Sequence, residues 1–347
     1  MRTHPSTLEL MRRFNLQIYY QLRVQEITRE LERSLEVMPE TSPGSGGMTG
    51  ALRGQPDGLK VAAAAAAVRA VSQCFSPAVF LAPLSCRFLR LALQCLSRFD
   101  TWLQQQLALP PTSGPAGTTA GSTPANVHYL LYQDAQRIID WLRGELPTVV
   151  LAALELPSQH DDLQRDCRST LQYSAAVLCA SCDKLRQAAV KQLADQCCHV
   201  LAQVRTIKAM YCMTNRSMPS SHSFFIPEVM APLRDFMRGH DLSLASRQQW
   251  ALDVSGHVAR HYLDVATKML DEVRESEDAL RLLQKRQTPA RADETRATDS
   301  DKISAQLFLD IVAYGKELRE LGVDIDGLSA YTSLLSAVRP DDTCMRN

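Results

Sequence analysis

Apolar residues recur every three to four positions through most of this chain, the spacing that gathers them on one side of an α-helix. Tyr20, Val24, Ile27, Leu31, Leu35 and Met38 form the first stripe, with Glu26, Arg29, Glu30, Glu32 and Arg33 covering the rest. The pattern predicts an amphipathic helix that opens after Ser6-Thr7, either of which can cap it, and runs to about Val37. From Leu84 to about Leu107 there are two stripes. One is Leu84, Phe88, Leu91, Cys95, Phe99 and Trp102; the other is Leu89, Leu93, Leu96 and Leu103. Two apolar sides predict the central helix of a bundle, with Arg87, Arg90, Gln94 and Arg98 on its third face.

Further helices are predicted over Tyr129 to Arg143 and from Pro147 to near Pro157. His160 to Met213 reads as a helical hairpin or one long interrupted helix, because it contains neither Pro nor Gly. Thr214 to Ser223 forces a loop, Pro227 opens a helix over Ile226 to Arg238, and Gly239-His240-Asp241 makes a turn. Ser243 to Arg286 is the longest uniform segment, with Trp250, Val254, Val258, Tyr262, Val265, Met269, Val273, Leu280 and Leu283 in series. As one helix it would span ~65 Å. Ile303, Leu307, Ile311, Tyr314, Leu318 and Leu321 follow, Gly322 is a fitting stop, and a last helix occupies about Ile325 to Val338. Val61 to Val68 encloses six alanines, strong helix formers with little side chain to pack. No useful period-2 strand and no fixed-period repeat is present.

Turn-forming and polar stretches cut this pattern. The organisation predicted is an amphipathic helix in 1–38, a linker at 39–58, a helical segment at 59–108 and a disordered linker at 109–125. A long helical bundle or rod at 126–287, a linker at 288–300, a helical hairpin at 301–339 and a tail at 340–347 complete it. The fold class expected is all-α, in elongated helical bundles joined by Pro/Gly/Ser/Thr-rich linkers.

Composition narrows the function. The 347 residues are 45% hydrophobic and 22% charged, an ordinary globular balance, and most of the 15 glycines lie between Gly44 and Gly121. Little glycine is left for phosphate-cradling loops. Lys and Arg balance Asp and Glu at 38 each, without the basic surplus of a nucleic-acid binder. The opening Met1-Arg2-Thr3-His4-Pro5 has no apolar signal core, so a cytosolic chain with reduced thiols is expected. Such a chain would not use the glycosylation acceptor pattern at Asn215-Arg216-Ser217. No segment reaches the ~18 apolar residues of a membrane span. The best, Val79 to Leu96, is broken by Arg87 and Arg90, so membrane association is expected to be peripheral.

Candidate chemistry is sparse. Cys179 and Cys182, followed by Cys197, Cys198 and His199, offer ligand types and a CxxC spacing that zinc accepts. Both clusters lie within helical periodicity without a Gly or Pro knuckle, and buried core thiols are the reading preferred. His257 and His261 share a helix face with Asp264 one turn on. Position 258 is Val, where a zinc-protease helix has its glutamate. Ser220-Ser221-His222-Ser223 places hydroxyls beside a histidine without a strand-and-elbow context. The arginines at 87, 90 and 98 read as a solvated face that could also touch acidic lipid or a partner. No catalytic, cofactor-binding or metal site is assigned, and no enzyme activity is expected.

Several long strings carry a resemblance. They are Phe14-Asn-Leu-Gln-Ile-Tyr-Tyr-Gln-Leu-Arg-Val-Gln-Glu-Ile27, the run from Val79 through Phe99, Thr214-Asn-Arg-Ser-Met-Pro219 with its continuation through Phe236, and Asp301 through Val323. In order along the chain, they resemble the C-terminal region of the family of subunit 2 of the conserved oligomeric Golgi complex. The resemblance implies a helical-rod subunit of a vesicle tether, peripheral on the cytoplasmic face of the Golgi and in the cytosol. It further implies retrograde intra-Golgi transport, with subunits 1, 3 and 4 as lobe partners and SNAREs, Rab GTPases and coat proteins as further ones. The chain begins where that C-terminal half begins, so the family's long coiled-coil-rich assembly region is expected to be missing from it. The alternatives are a helical scaffold or tether at another membrane, and a zinc-binding helical bundle.

Overall fold

The structure is a computed structural model that describes residues 15–36, 55–109, 124–154, 161–214, 216–287 and 298–339. The stretches read as linkers, 39–58, 109–125 and 288–300, lie mostly outside these residues, as do the expected start at Ser6-Thr7 and the tail. Among the described residues there are helices, turns and loops and no strand, so the fold is all-α. The helices are α1 (Leu16–Glu36), α2 (Ala62–Cys74), α3 (Ser85–Ala108), α4 (Pro124–Arg143), α5 (Leu146–Leu154) and α6 (Asp161–Leu201). They continue as α7 (Arg205–Tyr211), α8 (Ile226–Val229), α9 (Ala231–Gly239), α10 (Leu244–Gln287), α11 (Asp299–Glu320) and α12 (Ser329–Ala337). The chain divides into two units, Met1–Ala189 and Val190–Asn347, with the division inside α6.

In the first unit, Asn15 opens α1: its Oδ1 accepts the amides of Gln17 and Ile18 at 3.1 Å each. Ile27, Leu31 and Leu35 are the fully buried part of the α1 stripe. Each contributes ~1.5–3 kcal/mol on burial, and packing of such a face, more than propensity, stabilises a helix of this kind. The helix surrounded by others is α2, which packs on α1, α3 and α4. It buries nine of its thirteen residues, among them Ala63, Ala64, Ala66, Ala67 and Ala70. The alanine run is therefore core. Side chains of one carbon let neighbouring helices approach on several sides, a use that a count of packable side chain does not reveal.

Both stripes of α3 face inward. Leu84, Phe88, Leu91, Cys95, Phe99 and Trp102 are all buried, as are Leu96 and Leu103, while Leu89 and Leu93 are half-buried. Trp102 donates its indole N–H to the Leu35 carbonyl at 2.9 Å, and Tyr20 meets Phe88 edge-on at 5.6 Å. Asp134 of α4, fully buried, closes the opening of α2. Its carboxylate accepts the Lys60 amide at 2.9 Å and the Val61 amide at 2.7 Å, which α2 itself cannot satisfy.

His160 to Met213 resolves as one long interrupted helix. The 41-residue α6 is followed by a 3-10 turn at Ala202–Val204 and then α7. In the second unit α10 packs on α11 and α12, and α11 also packs on α7 and α8. With 44 residues, α10 is about 66 Å long. Trp250, Val254, Val258, Tyr262, Met269 and Val273 form its buried stripe, Val265 is half-buried, and Leu280 is exposed. Thr298 starts α11 with a capping box shared with Asp301. Ile303, Leu307, Ile311, Tyr314 and Leu318 of α11 are all buried. Gly322 at φ +78° ends it, and the Val323 amide returns to the Leu318 carbonyl at 3.0 Å.

Candidate interaction surface

The described residues between α7 and α8 are irregular in backbone, and Ser221 and Ser223 among them are held by α11. Asp310 lies three residues after Leu307 and four before Tyr314, on the inward side of α11, and is 0% exposed. Its carboxylate accepts the Ser223 amide at 2.5 Å, the Ser223 hydroxyl at 2.7 Å and the Gln306 side-chain amide at 2.9 Å. Gln306 also donates to the Ser221 carbonyl at 3.0 Å and accepts the Tyr211 hydroxyl at 3.0 Å. Burial pushes the Asp310 pKa above the ordinary carboxylate value. The Ser223 and Gln306 hydrogen bonds and the nearby His222 pull the other way without cancelling it. The serine–histidine run is thus a fastening. The Ser223 hydroxyl is committed to Asp310, and His222 turns Nδ1 to the Ser223 carbonyl, 3.1 Å away.

Outside this clasp lies an open groove of about 490 Å³, with Met210, Tyr211, Arg216, Met218, His222 and Phe224 in its lining. Phe225 is buried and meets Phe224 edge-on at 5.9 Å, while Phe224 is 80% exposed. Met210 and Met218 are exposed as well, and Met213, at φ 56°, is 88% exposed. Its amide donates to Asp299 at 2.8 Å.

The other candidate residues fall into place around the helices. Cys182 and Cys197 are buried, and Cys179 and Cys198 half-buried. Cys197 stands fifteen positions after Cys182 on α6, a rise of about 22 Å, so the two cysteine pairs cannot close on one ion. Burial pushes the Cys182 and Cys197 thiols up to about 12 and Cys198 up to about 11. This favours the protonated form over the thiolate that metals bind. His257, His261 and Asp264 are exposed on α10. No group of three or more His, Cys, Asp or Glu that could hold a metal occurs among the described residues. Two of the three α3 arginines bind α1: Arg98 makes a two-pronged contact with Glu32 at 2.7 and 2.8 Å, and Arg87 donates to Gln17. That arginine face is spent partly inside the first unit. No helix among the described residues is long and apolar enough to cross a membrane.

The family model described as COG complex component, COG2, C-terminal, matches residues 12–311. The chain belongs to this family. It is 24% identical to "Conserved oligomeric Golgi complex subunit 2" of Homo sapiens over 380 residues, covering 99% of this chain and 50% of that protein. The like-named protein of Arabidopsis thaliana is 23% identical, with 98% of this chain and 46% of that protein covered. That of Drosophila melanogaster is also 23% identical, with 96% and 47% covered. The chain spans about half the length of the curated relatives it matches. No solved structure matches it.

The COG2 C-terminal match takes in the groove, the clasp and α1 through α10, and ends within α11 one residue after Asp310. Three buried carboxylates inside it escaped the sequence reading. Besides Asp134 and Asp310, Asp100 of α3 accepts the Ser181 hydroxyl at 2.6 Å and the Gln104 side-chain amide at 2.8 Å. All three share one signal. Each stands three or four residues from buried apolar residues on both sides: Leu96 and Leu103, Leu131 and Ile138, Leu307 and Tyr314. An acid in register with an apolar stripe has to be paired when the stripe is buried.

Proposed function

We propose that this chain is a non-enzymatic subunit of a Golgi vesicle-tethering complex. It would act in intra-Golgi retrograde transport, and so in Golgi organisation and protein transport. The observation that carries the reading is the COG2 C-terminal match over residues 12–311, joined by relatives whose shared name is a subunit of the conserved oligomeric Golgi complex. The partners proposed are the other subunits of that complex, 1, 3 and 4 first, with SNAREs, Rab GTPases and coat proteins as further contacts. The attachment proposed is peripheral, at the cytoplasmic face of the Golgi membrane and in the cytosol.

The helix surfaces support a role through contact. Ile18 and Leu22 on α1, Tyr173 and Val177 on α6, and Leu244 and Leu252 on α10 are exposed apolar side chains on helices whose opposite faces are packed. The polar constellations are consumed internally: the Ser223 hydroxyl by Asp310 and the Ser181 hydroxyl by Asp100.

The test is affinity purification of the chain, tagged at its own locus, together with imaging of the tag. Recovery of other subunits of the complex, Golgi-localised signal and under-processed surface glycans on depletion are expected. A chain that stays monomeric and diffuse in cells with an intact Golgi complex would refute the proposal.

A further inference from the structure

We infer that the groove beside Phe224 is a docking site for an extended peptide of a partner protein, one that carries a carboxylate next to an apolar side chain. The inference is independent of the tethering role, because it rests only on the shape, rigidity and charge of this groove.

Rigidity comes first. The residue before Phe224 is fixed through both its amide and its hydroxyl by Asp310, and the residue after it is a buried phenylalanine. An aromatic side chain that is 80% exposed between two anchored neighbours is held ready for contact, with little backbone entropy left to lose on binding. Such pre-set aromatic anchors dominate interfaces. Met210 and Met218 flank the same groove, and thioether side chains adapt to varied apolar partners.

Charge selects the partner. Arg216 and His222 are the charged or chargeable basic side chains of the lining, and no Asp or Glu among the described residues lines the groove. Asp310 lies behind Ser223 and has its oxygens taken up by Ser223 and Gln306. The surface offered to a ligand therefore sets an apolar part, Phe224 with Met210 and Met218, beside hydroxyl-bearing side chains and the basic Arg216 and His222, which suits a carboxylate beside a Leu- or Phe-like side chain. Shape selects the form. The groove is open and runs along residues 216–222, whose backbone makes no hydrogen bond to another described backbone group. Apart from the Ser221 carbonyl, which accepts from Gln306, main-chain donors and acceptors there are thus available to a peptide lying alongside.

The test uses the purified full chain as bait for a displayed random heptapeptide library. Selected peptides are then labelled and titrated by fluorescence anisotropy. Enrichment of sequences pairing Asp or Glu with a large apolar residue is expected. Affinity should fall at least about tenfold for Phe224→Ala and for Arg216→Glu, and return with Arg216→Lys. Both positions are exposed, so circular dichroism and thermal unfolding should match the parent chain. Three results would each overturn the inference. The first is no enrichment, or enrichment without acidic residues. The second is unchanged affinity for both variants. The third is occupation by something else, seen as Phe224-dependent binding to vesicles of anionic lipid or as a dimer that Phe224→Ala dissolves.

Discussion

Gly315 stands in the middle of α11, where alanine would ordinarily be the better residue by about 1 kcal/mol. In this protein Gly315→Ala is expected to destabilise. A Cβ added there would stand 2.7 Å from Cζ and 3.2 Å from Cε2 of Tyr331, against the ~3.5–4.0 Å that carbon atoms need. Tyr331 cannot swing aside freely: it is buried, and its hydroxyl donates to the Ile311 carbonyl at 3.2 Å. Overpacking of this kind costs ~1–3 kcal/mol, and breaking the hydrogen bond adds about 1 kcal/mol. After subtracting the propensity gain, the net loss is about 1–3 kcal/mol. Equilibrium urea unfolding gives the sign, and hydrogen exchange of peptides from α11 and α12 locates it. In a Tyr331→Leu background the obstacle is gone, so Gly315→Ala should become neutral or stabilising, with a coupling energy of about 1–3 kcal/mol. If Gly315→Ala stabilises the parent chain by the full propensity difference, the close approach of α12 to α11 is not what keeps glycine at this position.

Two further perturbations follow from backbone and carboxylate geometry. Met213 holds a left-handed conformation at φ 56° with its side chain in solvent. Met213→Gly should therefore stabilise by about 0.5–1 kcal/mol in thermal or urea unfolding, and a loss of stability there would contradict the strain assigned to it. Asp134 has its pKa raised, chiefly by burial, so the folded chain holds this proton more tightly than the unfolded one. Its contribution is then complete below the unfolded carboxylate value and declines as pH rises through the raised folded value. The stability of the parent chain relative to Asp134→Asn should grow as pH is lowered through the carboxylate range. A gap that closes in acid would mean that the Lys60 and Val61 amides outweigh desolvation.

Periodicity carried most of the helical framework into view because packing here is periodic. The stripe from Trp250 to Met269 and the stripe from Ile303 to Leu318 are the buried faces of α10 and α11. Gly322 ends α11 at a positive φ that few other residues adopt cheaply. What periodicity cannot carry is which neighbour a face meets. The alanine run of α2 became the most enclosed helix of its unit because three others converge on it, and Arg98 turned from a solvated residue into a partner of Glu32, 66 positions away. The groove was hidden for a related reason. Phe224 and Phe225 are adjacent and chemically identical, and only the clasp at Ser223 decides which is core and which is presented.

The buried aspartates also set an order of events during synthesis. The Val61 amide waits for an acceptor 73 residues downstream, and the Ser223 amide waits for one 87 residues downstream. At roughly 5–20 residues per second, each of those amides spends several seconds without its native partner after it has been made. The opening of α2 and the loop that carries Phe224 are thus sealed late, each by a helix made after it. A ribosome that stalls between residue 223 and residue 310 would leave Phe224 on an unfastened loop, where chaperones that read exposed aromatic side chains meet the chain first.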